Sequence, residues 1–216
     1  MIVAIDGPAA SGKGTLVANL SEYYNLEALD TGSLYRAVAL SMIRSGDELQ
    51  DNYKALQHSL NFDFRLTQSP DLRTAKIGVA ASKIALFPEV RAALFNFQRK
   101  FATNPPAGKS GTILDGRDIA TIVCPEADYK FFVTAQIEVR AKRRWKELIE
   151  RNEPAIYASL LEELHARDVR DSTRENAPLE QSKDAFTIDT THLTEEQAFE
   201  KAQNYMASEN FNRQRI

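Results

Sequence analysis

Gly7-Pro8-Ala9-Ala10-Ser11-Gly12-Lys13-Gly14-Thr15 follows a β-branched stretch (Ile2, Val3, Ile5) and opens an amphipathic helical run. A loop so placed brings successive backbone N–H groups toward a chain of phosphates, while the new helix points its positive end at them. Glycines at 7, 12 and 14 permit turns that a Cβ would forbid, and Lys13 supplies one mobile positive charge for the outer phosphates. The general pattern has Ser or Thr directly after the lysine. Gly14 stands there instead, which makes Thr15 the candidate magnesium hydroxyl. Against the alternative of a plain glycine-rich turn stands the matching strand-loop-helix context. Gly108-Lys109-Ser110 imitates the end of the motif, but it precedes a strand and has no glycine five places before Gly108, so it reads as a loop.

Outward from that stretch, short apolar runs alternate with longer helical patterns, the mark of a parallel sheet wrapped by helices. The pattern predicts strands at 2–6, 26–30, 112–115, 130–134 and 185–189, and helices near 12–24, 33–45, 75–86, 88–103, 137–151, 157–172 and 194–208. The fold class expected is α/β, a doubly wound five-stranded parallel sheet with helices on both faces. Ligands in such sheets sit beyond the carboxyl ends of the strands. Four strands end at acidic residues or motifs: Asp6-Gly7, Asp30-Thr31-Gly32, Asp115-Gly116-Arg117-Asp118 and Asp189-Thr190-Thr191. One such aspartate is often only a turn residue; four on one edge point to a site.

The 216 residues suit one sizeable core with insertions rather than a second independent unit. A net charge of −3 exerts no overall pull on nucleic acid or anionic membrane. Cys124 is the only cysteine, which excludes an internal disulfide; its apolar neighbours suggest a small buried residue. No run approaches the ~20 apolar residues of a membrane span, and a cytoplasmic setting is expected. Cys and His are not clustered at zinc spacing, so the metal expected is Mg²⁺ arriving with ATP.

Two segments interrupt the alternation. Residues 47–74 are polar around Phe62-Asp63-Phe64 and fit an inserted subdomain. Residues 142–174 are dense in charge, including Lys142, Arg143, Arg144, Lys146, Arg151, Arg167, Arg170 and Arg174. A solvated helix face is one reading of this run. RNA binding is another, weakened because Trp145 is the only aromatic among the cations. The third is a lid closing arginines over phosphates, since phosphoryl transfer rests on positioning and on neutralising negative charge.

Gly7–Thr15, Asp30-Thr31-Gly32-Ser33-Leu34-Tyr35-Arg36, Asp115-Gly116-Arg117-Asp118, Arg140-Ala141-Lys142-Arg143-Arg144, the run from Arg167 to Arg174, and Ala177-Pro178-Leu179 occur in this order over nearly the whole chain. Together they resemble the bacterial cytidylate kinases, members of the P-loop nucleoside monophosphate kinases. The resemblance implies transfer of the γ-phosphoryl of ATP, with Mg²⁺, to CMP and dCMP by one P-loop kinase domain spanning 1–216. Within it, an insertion at about 47–110 would bind the monophosphate and a basic helical lid would span about 142–174.

Carried over by position, Gly7, Pro8, Ala9, Ala10, Ser11, Gly12, Lys13, Gly14 and Thr15 would hold ATP. Thr31, Tyr35, Arg36 and Arg117 would grip the acceptor around its phosphate. Ser82, Arg91 and Asp118 would read cytosine, and Arg167, Asp171 and Arg174 would contact ribose or phosphates. Lys13, Arg117, Arg140 and Arg174 form the expected catalytic set, with Thr15 and Asp115 toward the metal, in part through water. A bidentate guanidinium suits phosphate, and a carboxylate can accept from the exocyclic amine of cytosine while rejecting the carbonyl of uracil. Members of the family usually carry a longer stretch with a β-hairpin between the positions of Phe64 and Leu72; here only seven residues, Arg65 to Asp71, stand there, so the insertion is shortened.

His58, His165 and His192 fall outside every motif, in keeping with an acceptor that is already a phosphate dianion and needs no general base. Two rivals remain at this stage. One is another acceptor, UMP or AMP; the other is a non-enzymatic P-loop switch protein, against which stands the lack of a guanine-selecting Asn-Lys-x-Asp. A monomer is the default expectation.

Overall fold

A computed structural model of the chain describes residues 1–213. In order, the elements are β1 (Ile2–Asp6), α1 (Lys13–Tyr24), β2 (Leu26–Asp30), α2 (Thr31–Ser45), α3 (Asn52–Leu60), α4 (Ala75–Ile84), α5 (Pro88–Thr103), β3 (Gly111–Gly116), β4 (Tyr129–Thr134), α6 (Ile137–Glu150), α7 (Tyr157–Thr173), β5 (Phe186–Asp189) and α8 (Glu195–Arg213). Two 3₁₀ turns, Phe64–Gln68 and Pro70–Arg73, precede α4, and a π-turn, Ile119–Val123, follows β3. All five strands pair in parallel in the order β2-β3-β1-β4-β5.

β1 lies at the centre, with Val3 opposite Ile113 on one side and Tyr129 on the other. Because side chains alternate across a strand, Val3 and Ile5 enter one core with α1 and α8, where Leu16, Leu20, Phe131, Ile188 and Ala202 pack. Ala4 and Leu114 enter the other, with Leu34, Val38 and Met42 of α2, Ile84 of α4 and Leu94 of α5. Helices therefore cover both faces, as the doubly wound pattern requires.

Segment 47–74 holds more order than its polar sequence suggests. Asp51 caps α3 by accepting from the Lys54 amide, and Asp63 accepts from the Arg65 amide at the first 3₁₀ turn. The connection from Phe64 to Arg73 consists of these short turns, with no strand among the described residues. Among the described residues, no helix is long and apolar enough to cross a membrane.

Candidate active site

Every strand delivers its carboxyl end to one edge of the sheet, and a cleft of ≈ 990 Å³ opens there. Residues Ala9 to Thr15 form one wall. Gly7 (φ +149°) runs so close to β4 that a Cβ would stand 1.9 Å from the Val133 carbonyl oxygen, and Gly12 (φ +92°) caps α1 in the left-handed region. Both glycines are therefore dictated by geometry. Gly14 differs: it lies inside α1, faces the cleft, and has open space where its Cβ would be. Its lack of a side chain leaves the cleft open at this point, and no close approach of backbone requires it.

Lys13 donates to the Pro8 carbonyl at 2.8 Å and stands 3.8 Å from Asp115. Burial, and then Arg117, lower its pKa to about 8, while burial raises Asp115 to about 6. Thr15 lines the cleft one turn into the loop-helix junction, and the Thr31 hydroxyl donates to the Asp115 carbonyl, tying α2 to the end of β3. Thr15 and Asp115 offer hydroxyl and carboxylate oxygens, hard donors that suit Mg²⁺. Among the described residues no three His, Cys, Asp or Glu side chains form a metal cluster, so such an ion would take its remaining ligands from phosphate and water.

Guanidinium groups from α2, the turn after β3 and α7 line the same cleft. Arg117 donates to Asp171 at 2.9 Å and to the Gly116 carbonyl at 3.0 Å; Arg167 lies 3.7 Å from the same carboxylate. Burial works against the Asp171 charge, but Arg117 and Arg167 outweigh it and hold the carboxyl below its usual range. Arg36 donates to the Leu72 carbonyl at 3.4 Å. Burial disfavours the charges of both Arg36 and Arg167, and the Arg167 Nε has no hydrogen-bond acceptor among the described residues.

A second group lies beside it. Asp118 pairs with Arg91 in a short contact, and Arg174 approaches its other oxygen at 3.7 Å. Arg91 also sits 5.6 Å above the Tyr35 ring, a cation–π geometry. The Ser82 hydroxyl accepts from Arg170 Nε at 3.3 Å, joining α4 to α7. In total, six cations (Lys13, Arg91, Arg117, Arg140, Arg167 and Arg174) lean on four carboxylates (Asp115, Asp118, Asp168 and Asp171). Such an excess of positive charge attracts polyanions.

Arg140 is arranged differently from the other expected arginines. It donates to the Ala135 carbonyl at 2.9 Å, the Ala9 carbonyl at 3.3 Å and both oxygens of Asp168 at 3.1 and 2.6 Å. Four of its N–H directions are thereby used within the protein, and the side chain pins the phosphate loop to α7. Gly7, Pro8, Arg91 and Arg140 stand behind the cleft surface; the other expected site residues line it.

Three contacts go beyond what the motifs assign. Thr190 donates to the Ser11 carbonyl at 2.8 Å, Arg143 donates to Thr190 at 2.8 Å, and Asp6 accepts from the amides of Ile119 and Ala120. Asp6 and Thr190 both sit at strand ends, the one signal by which sequence marks them. His58, by contrast, bonds Ser41 and Asp47 between α2 and α3, away from the cleft.

Residues 3–208 match the family described as Cytidylate kinase. The chain is 44% identical to the cytidylate kinase of Bradyrhizobium sp. (strain ORS 278), with both chains covered in full. It is 48% identical to that of Methylocella silvestris over 94% of this chain and 92% of that protein. Among solved structures, an uncharacterized protein from Eubacterium ventriosum aligns with a TM-score of 0.55 at 15% identity, covering 96% of this chain and 99% of that one. A sugar kinase from Janibacter sp. HTCC2649 aligns with a TM-score of 0.51 at 17% identity over 95% and 94%. These last two speak for the α/β fold alone, whereas the match in sequence, full in length, establishes that the chain belongs to the cytidylate kinase family.

Proposed function

We propose that this enzyme transfers the γ-phosphoryl of ATP to CMP and dCMP, giving ADP with CDP or dCDP, and that the residues assembled in the cleft divide this work as follows. The observation that carries the reading is that the phosphate loop and the guanidinium cluster line one and the same cleft, so that two anion-binding groups share one space.

ATP lies along Gly7 to Thr15, with Lys13 leaving the Pro8 carbonyl to follow the migrating phosphoryl. The acceptor phosphate is held by Thr31, Tyr35, Arg36 and Arg117, with Arg167, Asp171 and Arg174 on the side of α7. Its base meets Ser82, Arg91 and Asp118. Mg²⁺ carried by ATP and held near Thr15 and Asp115 supplies charge neutralisation on the phosphates.

A phosphate oxygen of the acceptor forms the new P–O bond as the bond from the γ-phosphorus to the β,γ-bridging oxygen breaks, and ADP leaves with that electron pair. The attacking oxygen carries no proton, so no general base is needed. Arg117 and Arg174, with Lys13, stabilise charge spread over the transferring group. Arg140 contributes by fixing Ala9, and with it the loop, to α7.

The whole chain acts as one kinase domain in this reading, with the acceptor-binding insertion at about 47–110 and the lid at about 142–174. A monomer in the cytoplasm suffices, since every group named comes from one chain. The experiment is an ADP-release assay with ATP and Mg²⁺, offering CMP, dCMP, UMP, AMP and GMP with a no-acceptor control. Turnover confined to CMP and dCMP is the expected result. Turnover led by another monophosphate would overturn the base assignments, and none above the control would overturn the activity.

A further inference from the structure

Asp118 occupies the N-cap position of the π-turn Ile119–Val123, and aspartate there ordinarily folds its side chain back onto the free amides of its own turn. Here it does not. Its carboxylate makes no capping bond and turns instead to Arg91 and Arg174. The amides left without an intrahelical acceptor are taken from across the sheet: Asp6 Oδ1 accepts from Ile119 N at 2.9 Å, and Asp6 Oδ2 from Ala120 N at 2.7 Å. Asp6 is 1% exposed, at the carboxyl end of the central strand and 113 residues distant in sequence.

We infer that Asp6 is a positioning residue for acceptor selectivity: by capping the turn after β3 in place of Asp118, it frees the Asp118 carboxylate to face the acceptor base. The inference rests on the reading of Asp118 as a base-recognising residue given above.

The geometry explains why the task falls to β1. Asp6 lies opposite Gly116 in the parallel register, so the end of β1 and the start of the Gly116-Arg117-Asp118 turn are side by side. Burying a carboxylate at this point is costly unless it is fully engaged, and both its oxygens are engaged by backbone donors of one turn. An amide in its place offers one acceptor and turns an NH₂ toward the second backbone N–H. That backbone hydrogen is then left without an acceptor, and Asp118, at the N-cap position of the same turn, is placed to take it. Asp118 would then be divided between its own turn and the base.

The test compares kcat/KM for CMP over UMP in wild type, Asp6→Asn, Asp118→Ala and the double variant, with circular dichroism and thermal melting to confirm folding. Asp6→Asn is expected to lower the CMP-to-UMP ratio at least fivefold and to leave KM for ATP within twofold of wild type. In the Asp118→Ala background Asp6→Asn is expected to change the ratio no further. Where the asparagine variant does not fold, Asp6→Ser, which keeps one accepting oxygen in a smaller volume, takes its place in the cycle. An unchanged ratio in the folded Asp6 variant, beside a lowered ratio in Asp118→Ala, overturns the inference and leaves the base assignment standing. An equal fall in both backgrounds also overturns it. An unchanged ratio in Asp118→Ala alone overturns the base assignment, and the inference with it.

Discussion

Arg91 of α5 and Asp118 of the turn after β3 form an ion pair whose side chains are 12% and 9% exposed, 27 residues apart in sequence. A pair so withdrawn from water is worth little as a stabilising device, because desolvation offsets much of the attraction. Its value lies in orientation: the guanidinium fixes one carboxylate oxygen, and Arg174 stands near the other. The carboxylate is thus held between two guanidinium groups on the lining of the cleft.

Asp118→Ala is therefore expected to lower the CMP-to-UMP ratio of kcat/KM by about tenfold or more, the discrimination typical of one well-made base contact of about 1–3 kcal/mol. Steady-state kinetics with the two acceptors checks this. KM for ATP should change little, since the ion-pair partners of Asp118 are Arg91 and Arg174 rather than a residue of the phosphate loop.

Gly7 and Gly14 make a contrasting pair. Gly7→Ala would set its Cβ 1.9 Å from the Val133 carbonyl oxygen, and should destabilise the fold by about 3 kcal/mol or more, read as a fall in melting temperature. Gly14→Ala meets nothing within 4 Å and replaces a glycine inside a helix, which should raise stability by about 0.5–1 kcal/mol. Its cost should appear in KM for ATP, because the added methyl projects into the cleft.

The sheet and both covering layers were legible because buried parallel strands carry short β-branched runs, and four of the five runs here end at a motif. β3 runs one residue past the expected bounds at each end, β4 begins one residue earlier than expected and β5 one residue later, where pairing rather than side-chain pattern decides. α3 was not legible: only Ala55 and Ser59 of it are buried, so its apolar period is faint, and its start is a capping interaction at Asp51. The site residues were legible as motifs but their pairings were not. Asp6 and Ala120 are 114 residues apart, and Arg140 and Ala9 131, so neither bond leaves a local pattern. Arg140 was expected as a catalytic arginine from its motif; only its partners disclose the anchoring geometry.

Activity should carry an alkaline limb. Lys13, lowered from 10.5 to about 8 first by burial and then by Arg117, is charged below pH 8 and loses its proton above it in the free enzyme. kcat/KM for ATP should thus decline above pH about 8, while kcat, which reports the complex, should hold to higher pH because bound phosphates favour the charged lysine. Rate profiles from pH 6 to 10 read both.

Stability should move with pH through Asp6. Its folded-state pKa is raised from 3.8 to about 7 by burial, partly opposed by the two backbone donors. A carboxyl raised in the fold contributes stability that is fully present below the unfolded value and lost as pH rises through the folded value. The window is therefore between about 4 and about 7, with a slope of at most about 1.4 kcal/mol per pH unit. Asp115, raised to about 6, acts in the same direction but is common to wild type and variant. Melting temperatures of wild type and Asp6→Asn, measured at pH 5 and pH 8, isolate the Asp6 contribution. The wild type should lose stability relative to the variant on going to pH 8, and a difference independent of pH would show that Asp6 is ionised throughout.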